Sequence, residues 1–257
     1  MSDVSKSKTK YEGLLVTSKQ DGVFKILEYI NPKHVVVQFV ETGNKTVGRL
    51  GNVLDGKVKD RMKPSVYGIG IVGEQVTVNG RRGKQYDIWV RMLDRCYSKK
   101  LAGQHTTYID CTVSDSFKYY PYFKDWCGKQ VGFNQKDCNG RYFALDKDIL
   151  VKGNRIYSSD TCCFVPQEIN NLLTNKKSTR DTLPISVKKT ESGRFLVAFR
   201  KNKITTNLGR FDTPEEAFFA YKQAKEAYIK EVANKWKDQI DPRVYNALMN
   251  WTVDIDD

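Results

Sequence analysis

The stretch "LDKDILVKGNRIYSSDTCCFVP", residues 145–166, concentrates side chains that can do chemistry on phosphorus. Asp146, Asp148 and Asp160 offer carboxylates, and Thr161 beside them offers a hydroxyl. Hard oxygen donors of this kind hold a hard divalent cation, and Mg2+ is the expected occupant. A cation held there would stabilise a leaving oxygen while a base activates water for attack. Asp146 is the expected first ligand, with Asp148, Asp160 and the Thr161 hydroxyl completing the shell. The base is harder to find. An ammonium with a pKa of ~10.4 is a poor one. Lys147 therefore needs burial or the cation to lower its pKa, or it neutralises a phosphate while another group deprotonates water. His105 is the spare imidazole in this half of the chain.

The elements that must position these groups follow from periodicity and turn signals. Residues 1–10 form a polar, flexible tip. Residues 11–79 form a small β module: "GLLVTS", "VFKILEYI" and "HVVVQFVET" alternate or run apolar and are broken by "QDG", "NPK" and "GN". "NVLDGKVKD" adds glycine-rich turns. Helical spacing takes over in residues 80–98, where Tyr86, Trp89, Leu93 and Cys96 or Tyr97 share one stripe. Six aromatics between Phe117 and Trp126 make a core under a loop, or alternatively a base-stacking surface. Residues 80–180 are thereby expected to be one domain built around the 145–166 stretch.

From Leu183 the pattern changes to three strands, 185–189, 194–200 and about 204–209, turned at "ESG" and "NK". A long amphipathic helix follows. Asp212 or Thr213 is its N-cap, Pro214 lies in its first turn, and Glu215 and Glu216 face the positive dipole end. Phe218, Tyr221, Ala224, Tyr228 and Val232 make the stripe that packs on the sheet. Alternation then sends Phe195, Val197 and Phe199 toward the helix and Arg194, Leu196, Ala198 and Arg200 outward. Lys188, Lys189, Arg194, Arg200, Lys201 and Lys203 lie on or beside these strands. A basic strand face fits a DNA major groove, so these six are the expected DNA-binding residues. Residues 237–257 are a tail with a short helix.

Bulk properties agree with a polyanionic partner. The chain of 257 residues has 43 Lys and Arg against 30 Asp and Glu, a net charge of +13. Such a balance favours nucleic acid. No apolar run approaches the ~20 residues that span a bilayer, and the amino end lacks a signal-peptide core. A cytoplasmic location is expected, with no membrane partner. The six cysteines include no C-x-x-C pair, so reduced thiols are expected rather than a zinc site, and Cys162 and Cys163 are read as small apolar side chains.

Two resemblances sharpen these expectations. The span from "ISVKKTESGRFLVAFR" through "LGRF" to "DTPEEAFFAYKQAKEAY" resembles the APETALA2-type DNA-binding domain, about 54 residues in which three strands pack on one helix and read DNA with arginines and aromatics of the sheet. The aromatic base-contacting pattern of the plant members is not reproduced. The 145–166 stretch resembles the ββα-metal unit of HNH nucleases. On that likeness Lys147 stands where the family has its basic His, Tyr157 where it has the loop Asn, and Thr161 where it has the terminal ligand. The whole chain, through "W-x-x-M-L-x-R-C-Y" at Trp89–Tyr97, "L-D-K-D-I-L" and "Y-S-x-x-T-C-x-F-V-P", resembles bacteriophage HNH homing-endonuclease-like proteins.

The resemblance implies an α+β chain: a small β module at 11–79, an HNH-like domain at 80–180 and an APETALA2-like domain at 183–236. It also implies a metal-dependent endonuclease acting on double-stranded DNA in an infected bacterium, with Asp146, Lys147, Tyr157 and Thr161 at its centre. Two alternatives stand beside it. One is an HNH-like DNA-binding protein that no longer cuts and acts as a regulator or nuclease antagonist. The other is an interaction module whose basic charge attracts an acidic host protein.

Overall fold

The computed structural model describes residues 10–98, 110–173, 183–201 and 204–255. His105, Lys203, most of the 1–10 tip and the "NK" turn lie outside the described residues. Helix and strand contribute 32% and 27%, and every named sheet is antiparallel, so the α+β expectation holds. The chain divides into two compact units, Met1–Asp125 and Trp126–Asp257. That boundary falls inside the 80–180 stretch read above as one domain.

In the first unit, β1 (Leu15–Thr17), β2 (Val23–Asn31), β3 (His34–Phe39) and β4 (Lys45–Gly48) form a sheet in sequence order. One face is apolar because Phe24, Ile26, Val35, Val37 and Phe39 fall on it, and all five are fully buried. Helix α1 (Leu50–Leu54) occupies part of the stretch expected to hold only turns, with Val53 buried beneath it. Two short hairpins follow, β5 (Pro64–Val66) with β6 (Gly70–Ile71) and β7 (Thr77–Val78) with β8 (Arg81–Arg82).

Helix α2 (Lys84–Tyr97) places Tyr86, Trp89 and Leu93 inward as expected, and adds Met92. The Trp89 indole is fully buried and satisfied, donating to the Phe117 carbonyl at 2.7 Å. Strand β9 (Thr112–Val113), α3 (Asp115–Lys118) and α4 (Tyr120–Lys129) carry the aromatic cluster. Phe117, Tyr120, Phe123 and Trp126 are buried there, and Phe117 meets Phe123 edge-on at 5.0 Å. Four of the six aromatics are thus core, as the first alternative expects, while Tyr122 is exposed.

The second unit holds β10 (Ala144–Asp146), β11 (Ile156–Tyr157), β12 (Cys163–Val165) and α5 (Gln167–Leu172). Strands β10 and β12 pair antiparallel, with Asp146 opposite Cys163. The chain continues into β13 (Val187–Lys189), β14 (Phe195–Lys201), β15 (Ile204–Phe211), α6 (Pro214–Trp236) and α7 (Pro242–Met249). The last three strands form one antiparallel sheet with β14 central, and α6 covers one side of it. Phe199 packs edge-on against Tyr221 and Tyr228 of α6, at 6.1 and 5.7 Å.

Candidate nucleic-acid interface and the central carboxylate turn

The basic sheet is assembled by register. Lys188, Leu196 and Arg210 stand in one row across the three strands, Ala198 and Asn207 in the next, and Arg200 and Thr205 in the third. The opposite parity, Val187, Val197 and Phe199, is buried toward α6. The first set is therefore the open face, as alternation predicts. These three rows include no carboxylate. The Lys188, Arg200 and Arg210 side chains are exposed and have no ion-pair or hydrogen-bond partner among the described residues. Arg194 extends this face just before β14. Its Nε lies 2.9 Å from Asp212, and its guanidinium donates to the Arg210 carbonyl at 3.0 Å, bracing the end of β15.

Two of the expected DNA-binding lysines are placed elsewhere. Lys201 shares parity with Val197 and Phe199, pairs with Glu231 of α6 and lies 5.4 Å above the Tyr228 ring. Lys189 sits opposite Phe195 on the helix-side parity. Conversely, Arg210 is a member of the open face that alternation alone misses. Val197 pairs with Gly209 and Ala198 with Asn207, so Leu208 is an extra residue in β15. A one-residue bulge reverses the faces of everything beyond it. Gly209 takes φ +135° there, a conformation open to glycine, and its N–H donates to the Asn207 side chain at 2.9 Å. The bulge thus turns Arg210 outward.

The central stretch is organised around the side chains of Asp146, Lys147 and Asn154. Strand β10 ends at Asp146, whose Oδ1 accepts from the N–H groups of Asp148 (2.7 Å) and Ile149 (2.9 Å). Burial pushes the Asp146 carboxyl above its ordinary range; the two N–H donors oppose this, the Asp148 charge adds to it, and Lys147 opposes it. Lys147 is 6% exposed. Its ammonium donates to Asp148 and, at 2.9 Å, to the Asn154 carbonyl. Asn154 returns the link through Nδ2 to the Lys147 and Ile156 carbonyls, both at 2.8 Å. Lys147 and Asn154 therefore clasp the neck of the 147–154 loop.

Tyr157 is buried, with the Lys147 ammonium 5.8 Å from its ring centre. Thr161 donates its hydroxyl to the Ile156 carbonyl at 2.7 Å and meets the Ser158 hydroxyl at 2.9 Å. Asp160 is exposed and accepts from Ser159 at 3.2 Å. Asp160 and Thr161 lead into strand β12, and helix α5 starts only at Gln167.

Among the described residues, no group of three or more His, Cys, Asp or Glu side chains is arranged to hold a metal ion. Asp146, Asp148 and Asp160 are thus not gathered into such a group. Cys162 and Cys163 are buried and free of disulfides, and burial pushes the Cys162 thiol up to about 12. No helix of the described residues is long and apolar enough to cross a membrane. No protein-family model, curated protein or solved structure matches this chain.

Proposed function

We propose that this chain is a double-stranded DNA-binding protein that holds the duplex on the open face of β13, β14 and β15, with the 145–166 stretch as its scaffold. The observation that carries this reading is the set Lys188, Arg200 and Arg210, three exposed cations on rows that hold no carboxylate, with Arg194 and its partner Asp212 at the edge. A three-stranded surface about 10 Å across matches a major groove about 12 Å wide. Leu196 and Ala198 between the cations give apolar contact, and Asn207 and Thr205 give hydrogen-bonding groups. The resemblance to APETALA2-type domains supports the same face.

The scaffold role rests on how the central side chains are spent. Lys147 is buried in a clasp, Asp146 holds two backbone donors, and the Thr161 hydroxyl serves a carbonyl. Two of the three substitutions relative to the HNH pattern, Lys147 and Thr161, thus have a folding task, and Tyr157 is buried. This favours a DNA-binding protein acting as a regulator or nuclease antagonist.

A metal-dependent endonuclease is the second reading, favoured by one observation. Asp148 lies close enough to Asp146 for its charge to raise the Asp146 carboxyl further, and a divalent cation relieves such a pair. Supercoiled plasmid incubated with Mg2+ or Mn2+ separates the two. The scaffold reading expects retarded but uncut plasmid with wild type and Asp146→Ala alike. Metal-dependent nicking that disappears in Asp146→Ala establishes the endonuclease instead.

A further inference from the structure

The module formed by β1 to β4 has no part in the reading above, and its sharpest feature is a cavity between two loops, 18–21 and 56–59. The cavity has a volume of about 240 Å³, and Lys19, Lys57 and Lys59 line it. Its frame is stitched by a buried hydroxyl. Ser18 Oγ donates to the Val58 carbonyl at 3.1 Å and accepts from the N–H groups of Gln20 and Asp21 at 3.4 and 3.3 Å. Backbone bonds from Ser18 to Gly22 (2.7 Å) and from Lys19 to Gly56 (2.9 Å) complete the join. Gly56 makes the close approach necessary: it has φ +66°, and a Cβ there would fall 2.4 Å from the Thr17 carbonyl oxygen. The loops are therefore set before any ligand arrives.

The charge on this frame is one-sided. The single carboxylate lining the cavity is Asp21, and its Oδ2 is turned to the Asp60 N–H at 3.0 Å. Lys57 pairs with Asp55 in an exposed geometry, a bond worth little in water. Lys59 is exposed and has no ion-pair partner among the described residues. Three lysines thus line an opening that holds one carboxylate, already engaged. Lysine in this role acts as a point charge toward tetrahedral oxyanions.

We propose that the 18–21 and 56–59 loops form a phosphate-binding site, with the phosphodiester backbone of nucleic acid or a free phosphate group as the ligand. This site lies in the first unit and does not depend on the sheet reading. If the backbone is the source, the chain has a second contact that adds affinity and salt dependence without adding sequence preference.

Amide spectra of the full chain test this, with sodium phosphate and a short mixed-sequence DNA duplex as separate probes. The comparison variant is Lys19→Gln, Lys57→Gln, Lys59→Gln combined; retained dispersion of the β1–β4 amides shows that it folds. Shifts at residues 18–21 and 56–59 with phosphate alone, lost in the variant, support the site and assign it to small phosphates. Shifts there only with duplex, again lost in the variant, support it and assign it to the backbone. No shift with either probe, or equal shifts in the variant, overturns it. Shifts at 187–211 report the sheet separately, so failure of one site is distinguishable from failure of the other.

Discussion

Asp146 shows how one residue's type can suggest one role while its bonds supply another. Its carboxylate accepts two backbone N–H groups at the end of β10, while burial opposes its charge. An acid whose folded pKa is raised adds stability below its ordinary value of 3.8, and that contribution is lost as pH rises through the folded pKa. Asp146→Asn keeps an oxygen acceptor and removes the buried charge, so its stability relative to wild type should increase as pH climbs above that value. Asp146→Ala removes the charge too but leaves two donors unpaired, so it should be about 1–3 kcal/mol less stable than Asp146→Asn at each pH. Urea unfolding across pH checks both. If Asp146→Asn is as damaging as Asp146→Ala near neutrality, the carboxylate charge has a task that the scaffold reading lacks. Lys147 was chemically visible in the sequence, but its burial was not, because the clasp depends on where the Asn154 carbonyl falls seven residues later.

The strands and helices show which sequence signals suffice. The start of α6 was legible to within one residue: of the two expected caps Thr213 serves, Glu216 returns the bond to the Thr213 N–H, and Pro214 opens the first turn. Thr213→Ala should therefore cost about 1 kcal/mol in thermal or urea unfolding; an unchanged midpoint would show that α6 is held by packing alone. The faces of β14 were also legible, since Val197 and Phe199 are buried and Arg200 is exposed. Those of β15 were not. The Leu208 bulge inverts the parity that strict alternation assigns, and this moved Arg210 onto the open face. Lys201 was misplaced for a simpler reason. It follows Arg200 by one residue, so it belongs to the side that Glu231 occupies.

For the molecule as a whole, the net charge of +13 suits a polyanionic partner but says nothing of where one would bind. Register defines the proposed binding face, because it collects Lys188, Arg200 and Arg210 while diverting Lys201 to an ion pair with Glu231. The duplex affinity of the full chain, measured across salt concentrations, tests that face most directly. Each phosphate contact contributes about −0.9 to the slope of log affinity against log salt. Arg200→Ala combined with Arg210→Ala should flatten the wild-type slope by about 1–2 and weaken binding at low salt. The result that would contradict the account is a doubly substituted protein that binds duplex with the affinity and slope of wild type.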